Sequence, residues 1–129
     1  MRNADCGFEK HMNASELKQR TKDFGLRVVR LVETLPRSRT AEVFGRQLLR
    51  SATSIGANYR AACRARSQAD FVSKIGVVEE EADESAYWLE VLLEAEVTGD
   101  HGVKGLLEEA NELTAIFVAS GKTARRRPR

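Results

Sequence analysis

The sequence predicts an all-α protein, an up-down-up-down antiparallel four-helix bundle. Three observations carry this. The 129 residues include only two prolines, Pro36 and Pro128, both outside any helical interior. Apolar residues recur at steps of three and four in four separate stretches, which is the period of one helix face. Short polar segments join those stretches, and short connections place consecutive helices side by side and antiparallel. A chain of this length supports one domain with its own core. It divides into a disordered or loosely ordered leader over residues 1–14, the bundle over 15–120 and a basic disordered tail over 121–129.

Helix one follows Asn13-Ala14-Ser15, with Ser15 as its expected N-cap and Lys18 three residues on. Leu17, Phe24, Val28, Leu31 and Leu35 form its apolar stripe, and Pro36 ends it. Helix two begins near Thr40. Its core stripe is Phe44, Leu48, Ala52, Ile55, Tyr59 and Ala62, interleaved with the small residues Gly45, Ser51, Ser54, Gly56, Ala57 and Ala61. Each glycine costs about 1 kcal/mol of helix propensity relative to alanine, and close approach of a neighbouring helix is the expected compensation.

Helix three starts at Ser67, a good N-cap, and runs to about Val97, where Thr98-Gly99-Asp100 turns the chain. Its core stripe is Phe71, Ile75, Val78, Ala82, Ala86, Leu89 and Leu93. Helix four buries Val103, Leu106, Ala110, Leu113 and Phe117, and Gly121 is the expected stop.

Charge is segregated along the chain although the net charge is only +2. Residues 37–66 carry seven arginines against one acid, Glu42, whereas residues 67–112 carry thirteen acids against two lysines. Such asymmetry bears on partners and not on fold. On helix two, Arg46, Arg50, Arg60 and Arg64 share one face with Thr53 and Ala57. Three readings of that face stand side by side: an ordinary solvated surface, ion pairs with the acids at Glu79–Glu84, or a phosphate-binding surface for RNA or DNA. The tail residues Arg125, Arg126, Arg127 and Arg129 would add to the last.

Helix three carries a second stripe, Val77, Glu84, Trp88, Val91 and Ala95, turned away from its core stripe. A tryptophan between apolar neighbours on a second face fits a contact between copies of the chain; packing of this face on helix four is the alternative. Asn58, beside the core stripe of helix two, is expected to hydrogen-bond across the bundle, and Tyr59 to pack in the core with its hydroxyl bonded.

Nothing in the sequence demands a reaction. Neither His11 nor His101 sits at Glu-x-x-His spacing, and there is no phosphate loop, zinc spacing or nucleophile–base pair. No cofactor, metal or small-molecule substrate is expected. Cys6 and Cys63 look like separate thiols of a reducing cytoplasm. No apolar run reaches the ~20 residues of a membrane span, and Met1–Met12 lacks the apolar segment of a signal peptide.

The segment Arg50-Ser-Ala-Thr-Ser-Ile-Gly-Ala-Asn-Tyr-Arg60 is followed by Ser67-x-x-Asp70-Phe71-x-x-Lys74-Ile75 and by Glu80-Glu-Ala-Asp-Glu-Ser-Ala-Tyr-Trp88-Leu89. In order and spacing these resemble the 23S rRNA intervening-sequence proteins, a family that includes the accessory proteins of diversity-generating retroelements. The resemblance covers roughly residues 15–120. It implies an up-down four-helix bundle assembled into a ring, typically a pentamer, of poorly defined function; the retroelement members look like basic, nucleic-acid-binding partners of a reverse transcriptase. Many relatives read Ser-Ile-Pro-Ala-Asn-Ile-Ala-Glu-Gly where this chain has Gly56 at the proline position and Ala62 at the acidic one. A role resting on that acid is not carried over. The acidic helix three also sets this chain apart from the basic retroelement members. The expectation is therefore a homo-oligomeric scaffold, with nucleic-acid binding as the alternative.

Overall fold

Four helices are built from the four periodic stretches, and each begins and ends for a local reason. The structure, a computed structural model, describes residues 12–100 and 102–127. The helices are α1 (Ala14–Glu33), α2 (Arg39–Ala62), α3 (Gln68–Glu94) and α4 (Val103–Arg126). Residues 1–11 of the expected leader, His101 and Arg129 lie outside the described residues.

The N-cap of α1 is Asn13 and not Ser15. The Asn13 side chain accepts from the backbone N–H of Glu16 at 2.8 Å, and the Glu16 carboxylate accepts from the Asn13 N–H at 2.9 Å. This reciprocal box satisfies two free donors at once, which Ser15 with Lys18 could not do. Ser38 caps α2, which starts at Arg39, one residue ahead of the expected Thr40, and Ser67 caps α3 as expected.

The far end of α3 departs from its expected course. The helix stops at Glu94, and Glu96 takes a left-handed conformation at φ 56°. The Val97 N–H then reaches the Leu92 carbonyl at 3.2 Å and the Glu96 N–H that of Leu93 at 3.1 Å, a Schellman ending built without glycine. Within the last turn of the helix Leu92 is fully buried, whereas Leu93, the expected core residue, is half-buried.

Helix α4 continues through Gly121 to Arg126, so residues 121–126 are bundle and not disordered tail. Two contacts explain the extension. Ala124 is buried in the core cluster. The Gln68 side-chain amide, at the start of α3, donates to the carbonyls of Ala124 and, at 3.0 Å, Arg127. Unpaired C-terminal carbonyls are what ordinarily frays such an end.

The helices pair in opposite directions. Gly56 faces Thr21 and Lys22 while Gly25, further along α1, faces Ala52 and Thr53, earlier in α2. A Cβ at Gly25 or Gly56 would lie 3.4–3.6 Å from its nearest neighbour, so the small residues of α2 do meet a close neighbour helix. Each helix packs on the next in sequence, and α1 meets α4 along the loosest of the four seams. The predicted stripes fill the interior: Leu17, Phe24, Leu48, Ile55, Ile75, Leu89, Leu113 and Phe117 are fully buried, each stabilising the fold by about 1.5–3 kcal/mol before entropy is counted. Phe44, expected in the core, is half-buried at the edge of the α2–α3 seam. Tyr59 is fully buried with its ring 5.4 Å from that of Phe117.

Candidate functional site

The four-arginine face of α2 does not act as one surface. Arg50 reaches across to α3, where its guanidinium pairs with Glu81 at 3.2 Å and with Glu84. Glu84 also accepts from the Trp88 indole N–H at 3.0 Å. The indole and the guanidinium together hold the Glu84 carboxyl below its ordinary range. Arg50 is therefore engaged within the chain, the ion-pair reading of that residue. Arg46 lies towards the opposite end of α2, beside Arg37 and Glu42. Arg60 and Arg64 remain exposed.

Those two join a basic end of the bundle that the sequence did not display as a unit. The end of α2 leads by a short connection into the start of α3, and the Gln68 hydrogen bonds bring the end of α4 to the same place. Arg60, Arg64 and Arg66 thus share one end with Lys122, Arg125, Arg126 and Arg127, all exposed. Asp70, an acid of the same region, is paired with Lys74 and accepts from the Arg66 backbone N–H at 3.2 Å, and the Lys74 ammonium keeps its carboxyl below the ordinary range. A run of exposed cations at one end has the chemistry to meet a phosphate backbone.

The second stripe of α3 is split. Trp88 is half-buried and stacks on Phe44 of α2, ring centroids 5.7 Å apart. Tyr87 meets it edge-on at 5.0 Å and points outward. Val77 and Ala95 are exposed, Glu84 and Val91 half-buried. Tyr87 is 56% exposed, the largest value among the large apolar side chains, and the sequence reading passed over it. Its adjacency to Trp88 was the available signal, but periodicity alone puts it among the acids. Asn58 also departs from expectation: its amide donates to the Ser54 carbonyl of its own helix at 2.8 Å. One turn of helix satisfies that donor more cheaply than a reach across the core. A buried bond between α2 and α3 comes instead from the hydroxyls of Ser85 and Ser51, 2.9 Å apart.

Between α1 and α2 lies a groove of about 220 Å³. Gly25, Gly56 and Ala57 form its floor, Leu26 and Val29 one wall, and Lys18, Lys22 and Arg60 its rim. Leu26 and Val29 are 44% and 38% exposed. The sequence reading assigned nothing to these α1 residues, because they lie off the core stripe and only the crossing at Gly25 and Gly56 opens the groove.

Among the described residues no group of three His, Cys, Asp or Glu side chains is placed to hold a metal ion. No helix among them is long and apolar enough to cross a membrane. Cys63 is half-buried against the core.

Residues 13–119 match the family described as 23S rRNA-intervening sequence protein. A crystal structure from Bacteroides thetaiotaomicron, described as a protein with unknown function from the S23 ribosomal protein family, is similar at 34% identity. It aligns over 81% of this chain and 94% of its own with a TM-score of 0.74. Comparison with curated proteins finds no match. The matched span begins at the Asn13 cap and takes in α1, α2, α3 and most of α4. This four-helix chain belongs to the 23S rRNA-intervening sequence protein family.

Proposed function

We propose that this chain is a non-enzymatic, homo-oligomeric scaffold, a ring of five copies by the family resemblance. The observation that carries the reading is that exposed apolar side chains lie on separate helices of one small bundle. Leu26 and Val29 lie on α1, Val43 on α2, and Val77 and Tyr87 on α3. Two different faces suit a head-to-tail contact, which closes into a ring when the rotation allows. The two cysteines, far apart in sequence, fit a reducing cytoplasm as the setting of this scaffold. Light scattering of the purified protein tests it: a mass several times the 14.4 kDa of one chain is expected. A mass of one chain at high micromolar concentration would sink the reading.

The basic end favours a second role, binding RNA or DNA on one side of the assembly. Arg60, Arg64, Arg66, Lys122, Arg125 and Arg126 would meet phosphates there, with Arg46 and Arg50 left out because of where they sit and what they pair with. Fluorescence anisotropy with a structured RNA, titrated across salt, reads this directly. Binding that weakens steeply with salt and is lost when Arg125 and Arg126 become glutamine supports it. Binding unchanged by those substitutions places the footprint elsewhere.

A further inference from the structure

The α1–α2 groove and the outer ridge of α3 complement each other in height, charge and apolar content. Lys22 and Gly56 are side by side: a Cβ added at Gly56 would lie 3.4–3.5 Å from atoms of Thr21 and Lys22 on α1. Ser51 and Ser85 are hydrogen-bonded, which sets the level of α3 against α2. Gly56 lies five residues beyond Ser51, and the same distance on antiparallel α3 leads from Ser85 to Glu80. Lys22 and Glu80 therefore sit at one height along the bundle, to within about one helix turn of ~5.4 Å. Helices α1 and α3 run in the same direction, so the match extends both ways. Lys18 is level with Gly76, and Val29 with Tyr87. A copy rotated about an axis along the bundle keeps these heights.

Gly76 supplies an independent observation. A Cβ at Gly25, Gly45 or Gly56 would meet a neighbouring helix or loop side chain, but one at Gly76 would meet nothing within 4 Å. A glycine in the middle of a helix costs about 1 kcal/mol relative to alanine, and nothing among the described residues packs against this position to compensate. Close approach of a second molecule would. The exposed acids Glu80 and Asp83 follow Gly76 on the ridge, and Tyr87 comes next.

We infer that the α1–α2 groove of one copy receives the α3 ridge of the next, Lys18 and Lys22 facing Glu80 and Asp83, and Leu26 and Val29 facing Tyr87. This rests on the homo-oligomer reading and names its contact. The contact is heterologous, with each copy using both surfaces.

Charge reversal tests it, read as native mass by light scattering with circular dichroism as the check of folding. Wild-type oligomer is expected to fall to the 14.4 kDa single chain in Lys18→Glu/Lys22→Glu and in Glu80→Lys/Asp83→Lys. The chain carrying all four changes is expected to regain the wild-type mass. Gly76→Leu, whose side chain projects into open space in the single chain, is expected to fold normally and lose assembly. Double variants that keep the wild-type mass overturn the assignment while leaving self-association standing. So does a four-fold variant that stays monomeric after both double variants have fallen apart. A monomeric wild type removes the oligomer reading and this contact with it.

Discussion

Arg20 joins α1 to α4 and Arg50 joins α2 to α3, each reaching two glutamates three residues apart on the partner helix. The surroundings differ. Arg20 is 25% exposed and grips Glu109 with two hydrogen bonds, at 2.7 and 2.8 Å, with Glu109 itself 17% exposed. Arg50 is 49% exposed. Beside Arg50 the seam also has the Ser51–Ser85 bond and the Phe44–Trp88 stack. The α1–α4 seam has the sparsest packing of the four. Where side chains interdigitate along a whole helix pair, an ion pair is an addition. Where they do not, a two-pronged guanidinium–carboxylate pair closes the bundle. A surface pair in full solvent contributes about 0–1 kcal/mol, whereas a half-buried one leaves a stranded charge when broken.

The difference is open to measurement. Arg20→Ala should lower the unfolding free energy by about 2 kcal/mol, because Glu109 is left shielded from water and unpaired. Urea denaturation reads it, and a loss below ~0.5 kcal/mol would mean that packing alone closes the α1–α4 seam. Glu96→Gly should act in the opposite sense, raising stability by about 0.5–1 kcal/mol, since glycine takes the left-handed conformation without the Cβ clash. No gain there would show that the Glu96 side chain makes up for its backbone. Arg50→Ala should cost less than about 1 kcal/mol. If it costs as much as Arg20→Ala, exposure does not distinguish the two clamps.

The smallest effect is a pH dependence. The folded chain holds Glu84 below its ordinary value of 4.5. Its contribution is therefore fully present above that value and is lost as the pH falls through the depressed one. Stability measured from pH 6 down to pH 3 should fall less steeply in Glu84→Gln than in wild type. Equal slopes would assign the acid sensitivity to other carboxylates.

What was legible in the sequence followed from local chemistry. The stripes through Phe24, Ile55, Ile75 and Phe117 have helical spacing, and burying one face of each helix is the only arrangement that removes them all from water. Ser67 as a cap and the small residues at the α1–α2 crossing were readable for the same reason: each acts within a turn or two of itself; α1, by contrast, ends at Glu33, short of Leu35 and of the expected stop at Pro36. The motif around Ser54-Ile55-Gly56-Ala57-Asn58 pointed to the family because packed helix faces constrain residue type at each step.

Tertiary structure alone decided the rest. Gln68 and Arg127 are far apart in sequence, so no local signal announces that one side chain ties down the other's carbonyl and carries α4 past Gly121. The helical face bearing Arg46, Arg50, Arg60 and Arg64 looked uniform because sequence fixes angle around a helix but not what lies beside it. Glu81 and Glu84 claim Arg50, while Arg60 and Arg64 fall at the end where three basic segments converge. Periodicity sets which way a side chain points; only the pairing of helices sets what it meets.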